Sequence, residues 1–295
     1  MTVHRFAHQA MGTFFEILIA GGEAGYAGQA AQAGFAEIDR LDRLFSRFDM
    51  GSEIYQINRI PPGGRLLIGI ETNQCLTMGE WARRETGGAF DVNVRGWVKS
   101  RDEADAAGAV PEAAFELIER AAGYEFRRPD GPPGDVPALN LDLGAIGKGF
   151  ALDAALEILK DWGVENVLLH GGTSTALAAG SAPEFEDKEG GWPVGVGGGW
   201  PSLGVPDRLV LRERALSGSG TEVKGQHILD PRTGRPARGH VAAWAAHRLA
   251  SVSDALSTAV MVMSTEEVEA FCAAHPDVSV LTVIDYGQCR VFNWT

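Results

Sequence analysis

Apolar residues recur along this chain at two spacings, and each spacing predicts a different element. Between Gly12 and Ala20, Phe14, Glu16, Leu18 and Ala20 alternate with Thr13, Phe15, Ile17 and Ile19, the two-residue period of a strand. From Glu23 to Phe48 the period changes. Ala30, Ala33, Phe35, Ile38, Leu41, Leu44 and Phe45 recur at helical spacing with charges between them, which predicts a long helix. Asp49-Met50-Gly51 breaks it, and Ser52 stands where an N-cap opens a further helical stretch carrying Tyr55 and Ile57. Next come a strand at Arg65–Ile70 and a helix at Glu71–Glu85 closed by Thr86-Gly87-Gly88. Phe90, Val92 and Val94 alternate with Asp91 and Asn93, the pattern of a half-buried strand. A helix near Pro111–Ala122 and a Pro/Gly-rich surface loop, RRPDGPPGDVP, follow.

The second half continues in the same way. Leu139–Leu143 reads as a strand, Ala145–Trp162 as a helix, and Glu165–His170 as a strand ending in Gly171-Gly172. Trp192–Val196 and Arg208–Leu211 are strand candidates, and Val241–His247 leads as a strand into a helix at Ser253–Met263. A helix at Thr265–Ala274 and strands at Val278–Ile284 and Cys289–Phe292 close the chain. No repeat of domain-building length and no clear interdomain linker interrupts this order. The fold class expected is α+β (mixed α/β) with antiparallel pairs, as a single domain over residues 1–295 or two interleaved halves.

Composition changes this picture in three places. Glycine supplies 38 of 295 residues, roughly twice its usual share, scattered rather than periodic, so many tight loops are expected. The net charge of −13 repels phosphate backbones, which argues against a nucleic-acid partner. Cys75, Cys272 and Cys289 are widely spaced and form no CxxC, so neither a disulfide framework nor a thiolate zinc site is indicated. The first twenty residues lack the pattern of a secretory signal, and no run of eighteen apolar residues occurs, so a cytoplasmic enzyme without a membrane anchor is expected.

Three segments group residues that can carry chemistry. In LDLGAIGKGFALDAALEIL (141–159) a strand runs through a glycine turn into a helix with Lys148 in its first turns. Unpaired N–H groups and the positive dipole end suit an anion there, although a tight turn with Lys148 in solvent fits the same spacing. It is not a Walker loop, because Asp142 stands where a glycine is required and Gly149 where a hydroxyl is required. In SVSDALSTAVMVM (251–263) Asp254 and Thr258 lie four apart on one helix face beside Ser257, a hard-oxygen set appropriate to Mg²⁺. A first-turn aspartate and a threonine bonded back to its own helix would look the same. In LSGSGTEVKGQHILDPRTGRPA (216–237), Ser217–Gly220 reads as a flexible, phosphate-compatible loop and Asp230–Gly234 as a β-turn. His227 stands three residues before Asp230, as either a proton-handling or a structural histidine.

The order of these segments carries more than any one of them. Met11-Gly12-Thr13, SRFDMGSEIYQIN, TGGAFDVNV, LDLGAIGKGFALD, LLHGG, WPVGV, HILDPRTGRP and SDALSTA follow one another as in the ApbE family, the FAD:protein FMN transferases, which the chain resembles from about residue 10 onward. The resemblance implies an ApbE-like fold of mostly antiparallel sheets flanked by helices. It also implies Mg²⁺-dependent transfer of FMN from FAD, as substrate, onto a threonine or serine of a target flavoprotein, with release of AMP. A flavin carrier without transferase activity and an FAD pyrophosphatase are the alternatives. By the same resemblance Asp254, Thr258, Ser257 and the Ala145 carbonyl hold the metal, and His227 handles the proton. Met11, Phe48, Ala89, Phe90, Asp91, Asp142, Lys148 and the backbone near Leu229 contact flavin. Phe48 stands where the family often has tyrosine, and Thr173-Ser174-Thr175 follows Gly171-Gly172 where an acidic or amide residue is common.

Overall fold

A computed structural model describes residues 2–96, 114–132, 136, 138–182, 190–197, 207–221, 228–285 and 288–294. In chain order the elements are β1 (Val3–Ala10), β2 (Thr13–Ala20), α1 (Ala24–Phe45), α2 (Glu53–Ile57), β3 (Arg65–Ile68), α3 (Ile70–Glu85), β4 (Glu116–Arg120) and β5 (Gly123–Arg127). They continue as α4 (Gly147–Asp161), β6 (Val167–Gly171), β7 (Thr175–Ala179), β8 (Trp192–Gly195), β9 (Arg208–Leu211), β10 (Arg214–Gly220) and β11 (Ala242–His247). The last four are α5 (Ala250–Val262), α6 (Thr265–Ala274), β12 (Ser279–Asp285) and β13 (Gln288–Phe292).

One eight-stranded sheet, ordered β1-β2-β6-β7-β10-β11-β12-β13, forms the frame, with a three-stranded sheet β3-β5-β4 and the pair β8-β9 beside it. All described pairings are antiparallel. The alternation in β2 gives the large sheet two apolar faces. Phe15, Ile17 and Ile19 join the core beneath the helices, whereas Leu18 and Ala20 turn to the core that includes Trp192, Val194 and Leu211 of β8 and β9. On the helical face α1 packs against α4, α4 against α5, and α5 against β10 and β11. Nearly every side chain of α5 is buried, because its alanines and serines let it approach both sheet and helix closely.

Most predicted elements are present with shifted ends, and four readings are corrected. Residues 90–94 form no strand. The Asp91 carboxylate accepts the Asn93 N–H at 2.7 Å and turns the chain. Residues 139–143 form no strand, and two asparagine side chains take the place of a neighbouring strand. Asn140 N–H donates to Asn93 Oδ1 at 2.8 Å, and Leu141 N–H to Asn58 Oδ1 at 2.6 Å. Residues 116–120 of the expected helix near 111–122 are β4, because Leu117 pairs with Phe126 across a turn closed by Gly123 at φ +135°; residues 111–113 lie outside the described residues. Ser217–Gly220 is no loop but the end of β10, paired with β11 throughout and with β7 at Ser217. The strands β1, β7 and β10 lack a clean polar–apolar alternation, so pattern alone did not reveal them.

Candidate active site

The helix α4 starts where the chain leaves the 139–143 segment. Gly147 N–H donates to the Leu143 carbonyl at 2.7 Å, and the opening residue Ile146 offers no side-chain cap. The first turn of α4 therefore depends on groups from elsewhere. Asp254 of α5 supplies one: its carboxylate accepts the Gly149 N–H at 3.2 Å and the Lys148 ammonium at 3.2 Å. Lys148 Nζ also donates to the Gly144 carbonyl at 2.9 Å. Asp254 is nearly buried, its side chain 6% exposed, and Lys148 is 21% exposed, so the charges meet largely out of water.

This meeting requires the helices to cross closely. A methyl at Gly149 would stand 2.6 Å from Ser251 N and closer still to the Ala250 carbonyl. Asp153, one helical turn further along α4, fixes the crossing. Its carboxylate accepts the Ala250 N–H at 2.7 Å, the Ser251 N–H at 2.9 Å and the Ser251 hydroxyl at 2.5 Å. It thus caps α5, which has no side-chain cap of its own. Burial raises the Asp153 carboxyl above its ordinary value, outweighing those donors. Burial, aided by the Asp254 charge, pushes the Cys75 thiol up, so this core cysteine is no nucleophile.

Hydroxyls from the sheet complete the surroundings of Asp254. The Thr175 hydroxyl donates to Asp254 Oδ1 at 3.4 Å and accepts from Ser217 at 3.2 Å. Ser219 Oγ lies 2.9 Å from Ser257 Oγ and 3.4 Å from Thr258 Oγ1. Both α5 hydroxyls also donate back to the Asp254 carbonyl, Ser257 at 3.0 Å and Thr258 at 3.4 Å. The Ser257 and Thr258 hydroxyls are thus turned to the Asp254 backbone carbonyl and Ser219. Ala145 is half-buried in the turn that also carries Gly144, and the carbonyl meeting Lys148 is that of Gly144.

A second charged group lies along the same turn. Asp142 accepts Arg95 Nε at 2.6 Å and the Gly144 N–H at 3.0 Å, with Arg47 Nε at 3.5 Å. Burial acts to raise this carboxyl, but these donors outweigh it and hold it below the usual carboxylate value. Arg47 also lies 4.4 Å over the ring of Phe48, which is 76% exposed, so the guanidinium that reaches Asp142 covers one face of an otherwise solvent-exposed ring. Met11 adopts φ +50°, and its N–H donates to Asp42 at 2.8 Å. Ala89 and Phe90 are buried and Asp91 is half-buried. Leu229 opens the small hairpin closed by the Leu229–Pro236 bridge, where the Gly234 N–H donates to the Asp230 carbonyl at 2.7 Å. His227 lies outside the described residues. Asp153, Thr175, Arg47 and Arg95 were not read as site residues from sequence, because their partners lie far away in the chain and local spacing gives no signal of them.

A hollow of about 240 Å³ lined by Ile19, Gly21, Tyr26, Gly163 and Asn166 holds none of these residues. No group of three or more His, Cys, Asp or Glu suited to a metal occurs among the described residues. Among those residues no helix is long and apolar enough to cross a membrane.

Comparison with known proteins places the sequence and the fold. Residues 11–282 match the sequence model of the ApbE family. A Rhodobacter capsulatus protein named FAD:protein FMN transferase is 33% identical over 163 residues, covering 52% of this chain and 29% of its own length. One of the same name from Treponema pallidum is 29% identical over 231 residues, covering 70% of this chain and 63% of its own. The chain thus spans less than two thirds of the curated relatives it matches. In fold, the flavin transferase ApbE from Vibrio cholerae superposes with a TM-score of 0.76 at 21% identity, over 99% of this chain and 97% of that one. The flavinyl transferase ApbE of Pseudomonas stutzeri superposes with a TM-score of 0.77 at 21% identity, over 99% and 95%. The family match over most of the sequence and the shared architecture together establish that this chain belongs to the ApbE family.

Proposed function

We propose that this chain transfers FMN from FAD to a threonine or serine hydroxyl of a target flavoprotein and releases AMP. The observation that carries the reading is the convergence on the buried Asp254 carboxylate of the Lys148 ammonium, the Gly149 N–H at the start of α4 and the Thr175 hydroxyl, with Ser217 bonded to Thr175. Such a site suits a pyrophosphate, because phosphoryl transfer is catalysed mainly by positioning and charge stabilisation. In the reaction the acceptor oxygen bonds to the FMN phosphorus, the bond to AMP breaks, and the acceptor proton passes to a base, the role this reading gives to His227. Lys148 neutralises phosphate charge, and the exposed Phe48 ring offers a stacking face for flavin.

The donors fit a hard cation. The four contacts of the Asp254 carboxylate measure 3.2–3.5 Å, longer than the ~2.7–2.9 Å of charge-assisted bonds, so its capacity is not filled by protein. Asp254, Thr258, Ser257 and the Ala145 carbonyl would hold Mg²⁺, which neutralises pyrophosphate charge and polarises the phosphorus when bound. Incubation with FAD, Mg²⁺ and a candidate acceptor flavoprotein should give covalent, fluorescent flavin on the acceptor and matching AMP, and Asp254→Ala should give neither. Conversion of FAD to FMN and AMP with no adduct would refute transfer in favour of hydrolysis. Bound FAD left intact would refute both in favour of a carrier.

A further inference from the structure

We propose that the Lys148 ammonium and a divalent cation compete for the Asp254 carboxylate, so that cation binding there turns Lys148 toward the substrate's phosphates. The inference rests on the reading above that Asp254 takes a divalent cation.

Lys148 Nζ is held by the Gly144 carbonyl at 2.9 Å and by Asp254 Oδ2 and Oδ1 at 3.2 and 3.5 Å. A carboxylate is a donor a hard cation selects, so lysine and metal draw on the same two oxygens of Asp254. The remaining contacts of Asp254 come from elements that need not move: the Gly149 N–H of α4 and the Thr175 hydroxyl of β7. The carboxylate therefore stays aimed whichever cation it faces, and only the lysine stem swings.

Its position gives Lys148 a reason to leave. It is the second residue of α4, where the helix dipole disfavours a positive charge, and Asp254 is what compensates. A dication on Asp254 removes that compensation and adds like-charge repulsion across a nearly buried space. The flexible four-carbon stem lets the ammonium turn to an anion instead. Arg47 and Arg95 are tied to Asp142 and keep their place. Metal and FAD should therefore bind with mutual reinforcement, since whichever arrives first places Lys148 for the other.

Two measurements test this without turnover. Mn²⁺ binding to the FAD-free protein, read by electron paramagnetic resonance, should be tighter in Lys148→Met than in wild type by on the order of tenfold or more, because a competitor has left a largely buried carboxylate. Lys148→Arg should stay near wild type, and Asp254→Asn should lose the site. On the wild-type protein, Mg²⁺ should increase labelling of Lys148 by an amine-reactive reagent, read by mass spectrometry, and this arm holds even if Lys148→Met folds poorly. Equal or weaker Mn²⁺ binding in folded Lys148→Met, or labelling indifferent to Mg²⁺, overturns the exchange while the cation site stands. Absence of any Mn²⁺ binding sensitive to Asp254→Asn overturns the cation reading and the exchange together.

Discussion

Gly149→Ala should damage both stability and chemistry, by amounts the geometry of the α4–α5 crossing sets. The added methyl would stand 2.5 Å from the Ala250 carbonyl carbon and 2.6 Å from Ser251 N, both backbone atoms that Asp153 holds in place. Ordinary carbon contact needs about 3.5 Å, so the helices must part by roughly 1 Å. Overpacking against rigid backbone costs about 3 kcal/mol. Alanine returns about 1 kcal/mol over glycine in a helix interior, which leaves a net loss of about 2 kcal/mol. The same shift draws the Gly149 N–H away from Asp254 and moves Lys148 with it, and a 1 Å misplacement at a reacting centre costs about 10²-fold in rate. Urea unfolding should show a lower midpoint with an unchanged slope, and flavin transfer should fall far more than that loss explains. Gly34→Ala is the control: its methyl would meet the end of the Ile17 side chain at 3.2 Å, a neighbour able to rotate, and should cost little. A Gly149→Ala protein that unfolds at the wild-type urea concentration and transfers flavin at the wild-type rate would refute the close-crossing account.

Three further outcomes follow from individual groups. Arg95, the Gly144 N–H and Arg47 overcome the effect of burial and hold the Asp142 carboxyl low. Its contribution is therefore complete above the unfolded value of about 3.9 and is lost as pH falls through the lower folded value. Asp142→Asn should flatten the acid limb of the stability curve, and an unaltered limb would contradict the assignment. Burial holds the His240 imidazole below its usual value despite its 2.7 Å bond to the Val260 carbonyl. Its unfolded form therefore takes up a proton first, and stability declines as pH falls below about 6.5. A proton NMR titration placing the His240 midpoint at or above that value would be incompatible with this. Ser264 caps α6 in a reciprocal box with Glu267, so Ser264→Ala should cost about 1 kcal/mol in urea unfolding, and no change would show the box to be idle.

Sequence patterning was most reliable where an element buries one face. The alternation in β2 and the helical spacing in α1 and α4 report which side meets the core, and each element stands within a few residues of its expected bounds. It failed where side chains replaced backbone partners. Asn58 and Asn93 hold residues 139–143 as a neighbouring strand would, and no periodicity announces an asparagine used in that way. It failed again in β7 and β10, whose small residues are buried on both faces.

The sequence by itself determined the mixed α and β elements, the acidic balance, and the segments that carry Asp142, Lys148, Asp254 and Thr258, because residue type and local spacing are properties of a short stretch of chain. Only the tertiary structure decided that Lys148 meets Asp254 across 106 residues, that Ser217 and Ser219 belong to a strand, and that Thr175 faces the same carboxylate. The physical reason is distance in the chain. A site assembled from two helix ends and two neighbouring strands exists only once α4 and α5 cross at Gly149, and that contact is set by packing, not by pattern.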